Sequence, residues 1–398
     1  MIPEEPTLLR QLHITLDSPR SIANIYLHER KDFDVILGQI EERVELMRAW
    51  DIQPGENVLE IGCGQGDCTV TLAAAVGEKG TVTAIDPARL DYGERHVADA
   101  NACPHWSSRL TNAGSPYNLG QAQAHLLASP LGGRMKFVKA DPLAFLKDTS
   151  EMYDTAVLAH CIYYFASPSV FSAILWALAP RVKRICLAEY ALTASDPRAV
   201  PHVLAALTHA SLQCRIPHSE SNVRTVLSPR AMRAAAKGVG LHLVKESTIV
   251  PPEKMYDGRW EVSTVVGQAY GSKIEVVVKD ARERAAVVAL RDSVRAAVDA
   301  LKMKGEKVHT MDVWIATTCP ESIAALQSNP QFDVYVQRII LAGADCGHDG
   351  VRSEAKLNDK PHTQLVVTST NANLWDIQGS NVNHLRHRRN GSEDGSAL

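Results

Sequence analysis

Two carboxylates flank a glycine-rich turn early in the chain. Residues 58–73 read VLEIGCGQGDCTVTLA, in which Glu60 precedes Gly62, Gly64 and Gly66, and Asp67 follows them. A turn of this kind between a strand and a helix points backbone N–H groups and the positive helix end at its ligand. Dinucleotide-binding turns have the spacing GxGxxG, and P-loops end in Gly-Lys-Ser/Thr. Because two carboxylates would repel a pyrophosphate, this turn favours a guest with an ammonium or sulfonium charge.

Two further acids end the next two predicted strands. Asp86 closes TVTAID, 20 residues after Gly66, and Asp141 closes RMKFVKAD. Ligands of open α/β sheets bind beyond the carboxyl ends of the strands. We therefore expect Asp86 to accept hydrogen bonds from the 2′ and 3′ hydroxyls of a ribose. Asp141 is placed to accept a bond from an adenine amino group, although DPLAF also suits a helix N-cap followed by Pro142.

Strands and helices are predicted to alternate around these acids. The expected strands end near Ile61 and Asp86 and then occupy residues 134–141, 153–165, 184–192, 241–250 and 308–317. The expected helices occupy part of 21–50, then 67–76, 92–102, 167–179, 196–215 and 229–238, with a long one from about residue 279. This alternation predicts an α/β fold with a doubly wound, mainly parallel sheet and helices on both faces.

The same pattern suggests three regions. Residues 1–50 form an N-terminal helical cap, and residues 51–318 form the α/β domain with a helical insert at about 192–240. Residues 319–398 are polar and rich in turn-forming residues, and we expect a disordered tail.

Together the motifs resemble those of the class I S-adenosylmethionine-dependent methyltransferases. The resemblance rests on VLEIGCGQG, AIDP, KADPLAF and YDTAVLAHCIYYF, and it spans residues 56–165. It implies a Rossmann-like sheet of seven strands with an antiparallel last strand, extending to about residue 317. In that family the glycine turn packs on the methionine part, the next acid holds the ribose, and the third contacts adenine. The residues implied to bind S-adenosyl-L-methionine are Glu60, Gly62, Cys63, Gly64, Gly66, Asp86, Pro87, Asp141, Pro142 and His160.

The chain departs from some branches of that family. HCIYY follows the fourth strand in place of Asn/Asp-Pro-Pro-Tyr/Phe, and there is no spaced set of metal ligands, so no metal is expected. The insert before the sixth strand looks like the substrate cap of small-molecule methyltransferases. The chain is also similar to fungal methyltransferase-domain proteins of uncharacterised activity.

Several side chains near the expected acceptor are candidates for catalysis. His160 and Glu189 are candidates for a general base or an acceptor-orienting group, with Tyr163 and Tyr164 shaping the pocket. A histidine or tyrosine there could equally be structural, whereas a carboxylate in an apolar strand end is unusual unless paired or functional. Weaker candidates lie in the insert: His202, His209 and His218 as bases, and Asn222 and Arg224 in a cap loop.

Composition excludes several other classes of protein. The net charge of −3 gives no basic face for nucleic acid, and RHRR at 386–389 is expected to be solvated tail. The sequence has no run of 18 apolar residues, so no membrane span is predicted. The eight cysteines form no CxxC pair, and the N-terminus has no signal pattern, which is typical of a cytoplasmic protein.

The sequence therefore predicts a cytoplasmic S-adenosylmethionine-dependent methyltransferase acting on a small molecule, without deciding which atom is methylated. Two alternatives stay open: an NAD-dependent Rossmann oxidoreductase, and a catalytically silent binding protein with the methyltransferase fold.

Overall fold

Alternating strands and helices account for most of the chain. The computed structural model describes residues 14–93, 117–217, 219 and 221–320. The strands are β1 Asn57–Ile61, β2 Thr81–Asp86, β3 Met135–Lys139, β4 Tyr153–Ala159, β5 Val182–Tyr190, β6 Leu241–Ile249 and β7 Val313–Pro320. The helices are α1 Pro19–Ile25, α2 Phe33–Trp50, α3 Asp67–Val76, α4 Leu119–Leu127, α5 Pro142–Asp148, α6 Pro168–Leu178, α7 Val200–Gln213, α8 Pro229–Gly238, α9 Asp257–Val266, α10 Gln268–Val277 and α11 Ala281–Met303.

The strands form one seven-stranded sheet in the order β3-β2-β1-β4-β5-β7-β6. β1 pairs in parallel with β2 and β4, and the parallel pairing continues outward to β3 and β5. β7 inserts between β5 and β6 and runs antiparallel to both. The predicted fold, a doubly wound and mainly parallel sheet with an antiparallel last strand, is confirmed.

Two apolar layers cover the two faces of the sheet because successive strand residues point to opposite sides. Val58 packs in the layer that contains α1, α2 and α3, whereas Leu59 packs in the layer that contains α6 and α8. Nearly every residue of the central strands is buried, as expected for parallel strands covered on both faces.

A third apolar cluster lies among helices alone. It is formed by α7, α9, α10 and α11, with Leu212, Val262, Tyr270 and Val287 among its buried members. α8, the other helix of the predicted insert, packs instead against α6 and β6 and belongs to the sheet layer. The insert therefore contributes one helix to this separate cluster and one to the sheet.

Several predicted boundaries shift. The fourth strand ends at Ala159 because His160 has a left-handed backbone with φ 50°, and a 3₁₀ helix follows at Ile162–Tyr164. A helix already starts at Gln268, well before the predicted 279, and the chain breaks at Asp280, whose side chain caps α11.

At the carboxyl end, β7 runs to Pro320, two residues beyond the predicted domain boundary. The expected tail from residue 321 onward lies outside the described residues, as do residues 94–102 of the helix predicted at 92–102. Within the described part of the chain, no helix has the length and apolar character needed to cross a lipid bilayer.

Candidate functional site

The glycine turn leaves β1 in a left-handed conformation. Gly62, Gly64 and Gly66 have φ of 75°, 51° and 91°, values that side chains other than glycine rarely adopt. A Cβ on Gly62 would lie 2.6 Å from the Cβ of Cys161, so the turn passes directly against the chain after β4. A Cβ on Gly64 would meet no atom of the described residues within 4 Å, so that part of the structure leaves space over the turn there.

Asp86 joins the end of β2 to this turn. Its Oδ2 accepts a hydrogen bond from the Gly64 N–H at 2.9 Å, and its Oδ1 accepts one from the Ala88 N–H at 2.8 Å across Pro87. A carboxylate oxygen can accept two hydrogen bonds, so both oxygens keep capacity for a ligand hydroxyl. The carboxylate is thus fixed at the rim of the turn.

Glu60 is buried at the end of β1, just before the turn. Its buried carboxylate accepts a hydrogen bond from the Thr69 hydroxyl of α3 at 2.6 Å. Burial raises the pKa of Glu60 to about 7. Through Thr69, Glu60 links β1 to the helix after the turn. Contact with the cofactor stays a prediction for Glu60 and for the buried Cys63.

Asp67 is neutralised by a cation that the sequence reasoning did not identify. Arg43 of α2 places its Nη2 2.8 Å from the Asp67 carboxylate. The two flanking acids therefore repel an anionic guest less than their count in the sequence indicated. The pairing cation comes from α2, so the residues around the glycine turn do not reveal it.

Asp141 acts as the N-cap of α5. Its Oδ1 accepts hydrogen bonds from the N–H groups of Leu143 and Ala144, both at 3.0 Å, and Pro142 occupies the first helical position. The capping interpretation is confirmed. Contact of Asp141 with an adenine stays a prediction, for which its exposed carboxylate has one oxygen outside the cap.

His160 lies at the end of β4 between two buried carboxylates. Its Nε2 is 3.0 Å from Glu42 Oε1, and its Nδ1 is 3.7 Å from Glu189 Oε1. Burial and the charge of Arg43 both lower the pKa of the ring. Glu42 and Glu189 raise it by more, and the pKa of His160 is about 9. At neutral pH the ring is an imidazolium, which can donate hydrogen bonds but cannot act as a general base.

Glu42 and Arg43 complete a buried chain of charges. Arg43 contacts Glu42 through Nη1, so the chain runs from Asp67 through Arg43 and Glu42 to His160. Burial raises the pKa of Glu42, but Arg43 and His160 outweigh that effect and lower it, so Glu42 is ionised. The sequence contains one indication that Arg43 is buried. Arg43 lies three residues after Ile40, which places it on the apolar stripe of α2.

Glu189 braces the chain after β4. Its Oε2 accepts hydrogen bonds from the N–H groups of Ile162 at 3.0 Å and Tyr163 at 3.2 Å, and its Oε1 accepts one from the Tyr190 N–H. Three backbone donors explain why a carboxylate is tolerated at 1% exposure in this strand. Glu189 is thus committed to holding the loop that carries His160.

The two predicted tyrosines differ in position. The Tyr163 hydroxyl is buried and donates a hydrogen bond to the Tyr190 carbonyl at 3.0 Å, which is a structural role. Tyr164 is 41% exposed. The ring that packs on His160 is that of Tyr190, with a centroid separation of 4.7 Å.

Tyr190 also links His160 to the helices beyond the sheet. Its ring meets the His202 ring edge-on at 4.9 Å, and its side chain lowers the pKa of Asp257 at the start of α9. His202 Nδ1 accepts a hydrogen bond from the Met311 N–H, which places its Nε2 3.4 Å from Glu261 of α9.

The other predicted residues of the insert lie elsewhere. His209 packs edge-on against Tyr270 in the helical cluster, and burial lowers its pKa, so it is neutral. Asn222 Oδ1 accepts a hydrogen bond from the Tyr92 hydroxyl, and the Arg224 N–H donates to the Tyr163 carbonyl. His218 lies outside the described residues.

No group of histidine, cysteine and acidic side chains in the described ranges could hold a metal ion. The six cysteines in those ranges are all free.

A glycine turn, an acid at the end of the next strand and a seven-stranded sheet with an antiparallel β7 define a class of protein. The chain belongs to the methyltransferase-domain family, whose model matches residues 26–246. It is a class I S-adenosylmethionine-dependent methyltransferase by fold and family, and the predicted family and its cofactor, S-adenosyl-L-methionine, are confirmed.

Individual relatives refine this placement. The chain is 27% identical to Methyltransferase phomM of Diaporthe leptostromiformis over 364 residues, which cover 75% of this chain and 89% of that protein. A 44-residue segment, 11% of this chain and 19% of the relative, is 50% identical to a demethylmenaquinone methyltransferase of Bacillus cereus. The structure resembles a cyclopropane-fatty-acyl-phospholipid synthase-like protein from Lactobacillus casei with a TM-score of 0.61 and 25% identity, over 76% of this chain and 99% of that one.

Proposed function

We propose that this protein transfers a methyl group from S-adenosylmethionine to a small-molecule acceptor. The observation that carries the proposal is the convergence of three features at the carboxyl ends of neighbouring strands. The glycine turn after β1 contacts Cys161 after β4, and the same turn is hydrogen-bonded to Asp86 after β2. In open α/β sheets this edge is where ligands bind.

The residues present fit the cofactor. The space over Gly64 leaves room beside the turn, and the Asp86 oxygens retain acceptor capacity for two ribose hydroxyls. Pro87 follows that acid, and the second oxygen of Asp141 is available for an adenine amino group. When bound, the cofactor supplies a methyl group on a sulfonium sulfur that leaves as a neutral thioether.

Enclosure of the site supports a small acceptor. Tyr26, just after α1, covers the turn by donating a hydrogen bond to Gln65 at 3.3 Å. On the other side, His202 of α7 covers Tyr190. Residues next to α1 and in α7 thus pack over this edge of the sheet, which suits a small molecule better than a folded macromolecule.

The side chains contribute position and charge. His160 is held by Glu42 and by the loop that Glu189 braces, so its imidazolium is fixed beside the turn. A rigid, dry site accelerates an in-line displacement by aligning donor and acceptor. The acceptor atom, the absence of nucleic-acid binding and the cytoplasmic location stay predictions.

The test is methyl transfer itself. Purified protein is incubated with methyl-labelled S-adenosylmethionine and a small-molecule cell extract, and the labelled product is separated and identified. We expect labelled product only with active protein, and a heat-denatured sample is the control.

The same assay separates the alternatives. A catalytically silent binding protein would bind S-adenosylhomocysteine and label nothing in any extract. An oxidoreductase would bind NADH in place of S-adenosylhomocysteine. The family match favours the methyltransferase over the oxidoreductase, and labelled product would separate it from the silent binding protein.

A further inference from the structure

The groups that touch His160, and the neighbouring Tyr163 hydroxyl, have partners of their own among the described residues. His160 is an imidazolium held by Glu42, and the Glu189 oxygens accept three backbone N–H groups. The Tyr163 hydroxyl donates to a backbone carbonyl. None of these groups is free to take up a proton from an acceptor.

Two described carboxylates have a buried oxygen with no hydrogen-bond partner, Glu261 and Asp257, and Glu261 has His202 Nε2 at 3.4 Å. Asp257 is the first residue of α9. Its Oδ2 is buried without a hydrogen-bond partner in the described part of the chain, and no ion pair within 4.0 Å involves it there. The side chain does not cap its own helix. An unpartnered buried carboxylate oxygen is costly, so its presence calls for a ligand or a functional explanation.

The start of α9 is held in place by close packing. The Gly258 N–H donates a hydrogen bond to the Thr310 hydroxyl at 3.2 Å, and a Cβ on Gly258 would lie 2.5 Å from the His309 carbonyl oxygen. The backbone that carries Asp257 is therefore fixed against the segment that leads into β7.

The side chain of Asp257 faces the reaction site. It lies close enough to Tyr190 for that side chain to lower its pKa; the Tyr190 ring packs on His160, and His160 adjoins the Cys161 that touches the glycine turn. Basic side chains from other elements lower its pKa: Arg43 of α2, His160 after β4 and His202 of α7.

We propose that Asp257 is the catalytic carboxylate that contacts the acceptor and receives its proton. The inference rests on the proposed function and specifies an acceptor whose reacting atom carries a hydrogen. The lone pair of that atom forms the bond to the methyl carbon, and the bond from that carbon to sulfur breaks with its electron pair left on sulfur. The proton lost by the acceptor moves to the Asp257 carboxylate, so charge and atoms balance.

Burial supports this role. It raises the pKa of Asp257 from that of an ordinary aspartate, although Arg43, His160, His202 and Tyr190 oppose the shift. A carboxylate with a raised pKa is a better proton acceptor than an exposed one.

The test uses Asp257→Asn, which keeps the shape and the Tyr190 contact but accepts no proton. In the extract assay we expect the single-turnover rate to fall about 100-fold, within the range typical of a lost general base. The rate of the unsubstituted protein should rise with pH through an acid limb that the variant lacks. Asp292→Asn on the exposed surface of α11 is the matched control and should match the parent.

Stability provides a readout that does not depend on finding the acceptor. Because Asp257→Asn replaces a buried carboxylate whose Oδ2 has no hydrogen-bond partner, its thermal midpoint should equal or exceed that of the parent. Glu261→Gln, which breaks the contact with His202, should lower it. A loss for Asp257→Asn as large as that for Glu261→Gln would assign Asp257 a structural role and overturn the inference.

Binding separates this inference from the proposed function. Both the parent and Asp257→Asn should bind S-adenosylhomocysteine with affinities within threefold of each other. No binding by the parent would refute the proposed function. Binding by both proteins with an unchanged rate and pH profile in the variant would refute the role of Asp257 alone.

Discussion

Replacing Glu42 by glutamine tests the charged state of His160. Glu42 Oε1 lies 3.0 Å from the imidazole, and the pKa of His160 rises from 6.5 to about 9. A shift of that size corresponds to roughly 3 kcal/mol in favour of the protonated ring, at about 1.4 kcal/mol per pKa unit. Glu42→Gln removes the carboxylate that holds the charge and should return the pKa toward its ordinary value.

The pH dependence has a definite sign. Since the folded protein binds the proton more tightly than the unfolded chain, the stabilisation is fully present below pH 6.5 and is lost as pH rises to about 9. The free energy of unfolding of the parent should therefore fall across this window by up to roughly 3 kcal/mol from this group. In Glu42→Gln most of that slope should disappear.

Two measurements follow the effect. Urea unfolding at several pH values between about 6 and 9.5 gives the slope, and NMR titration of the histidine ring protons gives the pKa directly. Glu45→Gln, an exposed position one turn away on α2, is the control and should keep the parental slope. An undiminished slope in Glu42→Gln, or a His160 ring that titrates near 6.5 in the parent, would refute the ion pair.

Three further outcomes are expected. Asp86→Ala should abolish S-adenosylhomocysteine binding in calorimetry, whereas Asp91→Ala, at a partly buried acid nearby that pairs with Arg89, should leave it intact; equal affinities would refute the ribose assignment. Gly62→Ala should lose both binding and stability because its Cβ would lie 2.6 Å from a cysteine side chain. Gly55→Ala, at φ 91° with no atom within 4 Å, should cost only about 1 kcal/mol, and similar losses for both would contradict the close-contact argument. A chain cut after residue 320 should keep the parental thermal midpoint, and a fall of many degrees would refute the predicted tail.

Local sequence signals predicted the sheet edge well. Strand ends, glycine spacing and helix caps depend on neighbouring residues, so the positions of Asp86 and the cap at Asp141 could be predicted from short segments. Strand β4 was predicted too long because the apolar run continues past His160, and nothing in that run indicates a left-handed residue.

The charge network could not be predicted in the same way. Glu42 and His160 are 118 residues apart, and their contact depends on how α2 packs against the sheet. Asp257 reaches the same region from an element after β6. Residue type identified His160 and Glu189 as candidates, but only their partners show that one is a cation and the other a brace.

The central claim is that the turn and Asp86 hold S-adenosylmethionine for methyl transfer. The most direct measurement is calorimetric titration of the parent protein with S-adenosylhomocysteine and, separately, with NADH. We predict saturable binding of one S-adenosylhomocysteine per chain and no binding of NADH. Binding of NADH without binding of S-adenosylhomocysteine would contradict the assignment of this site.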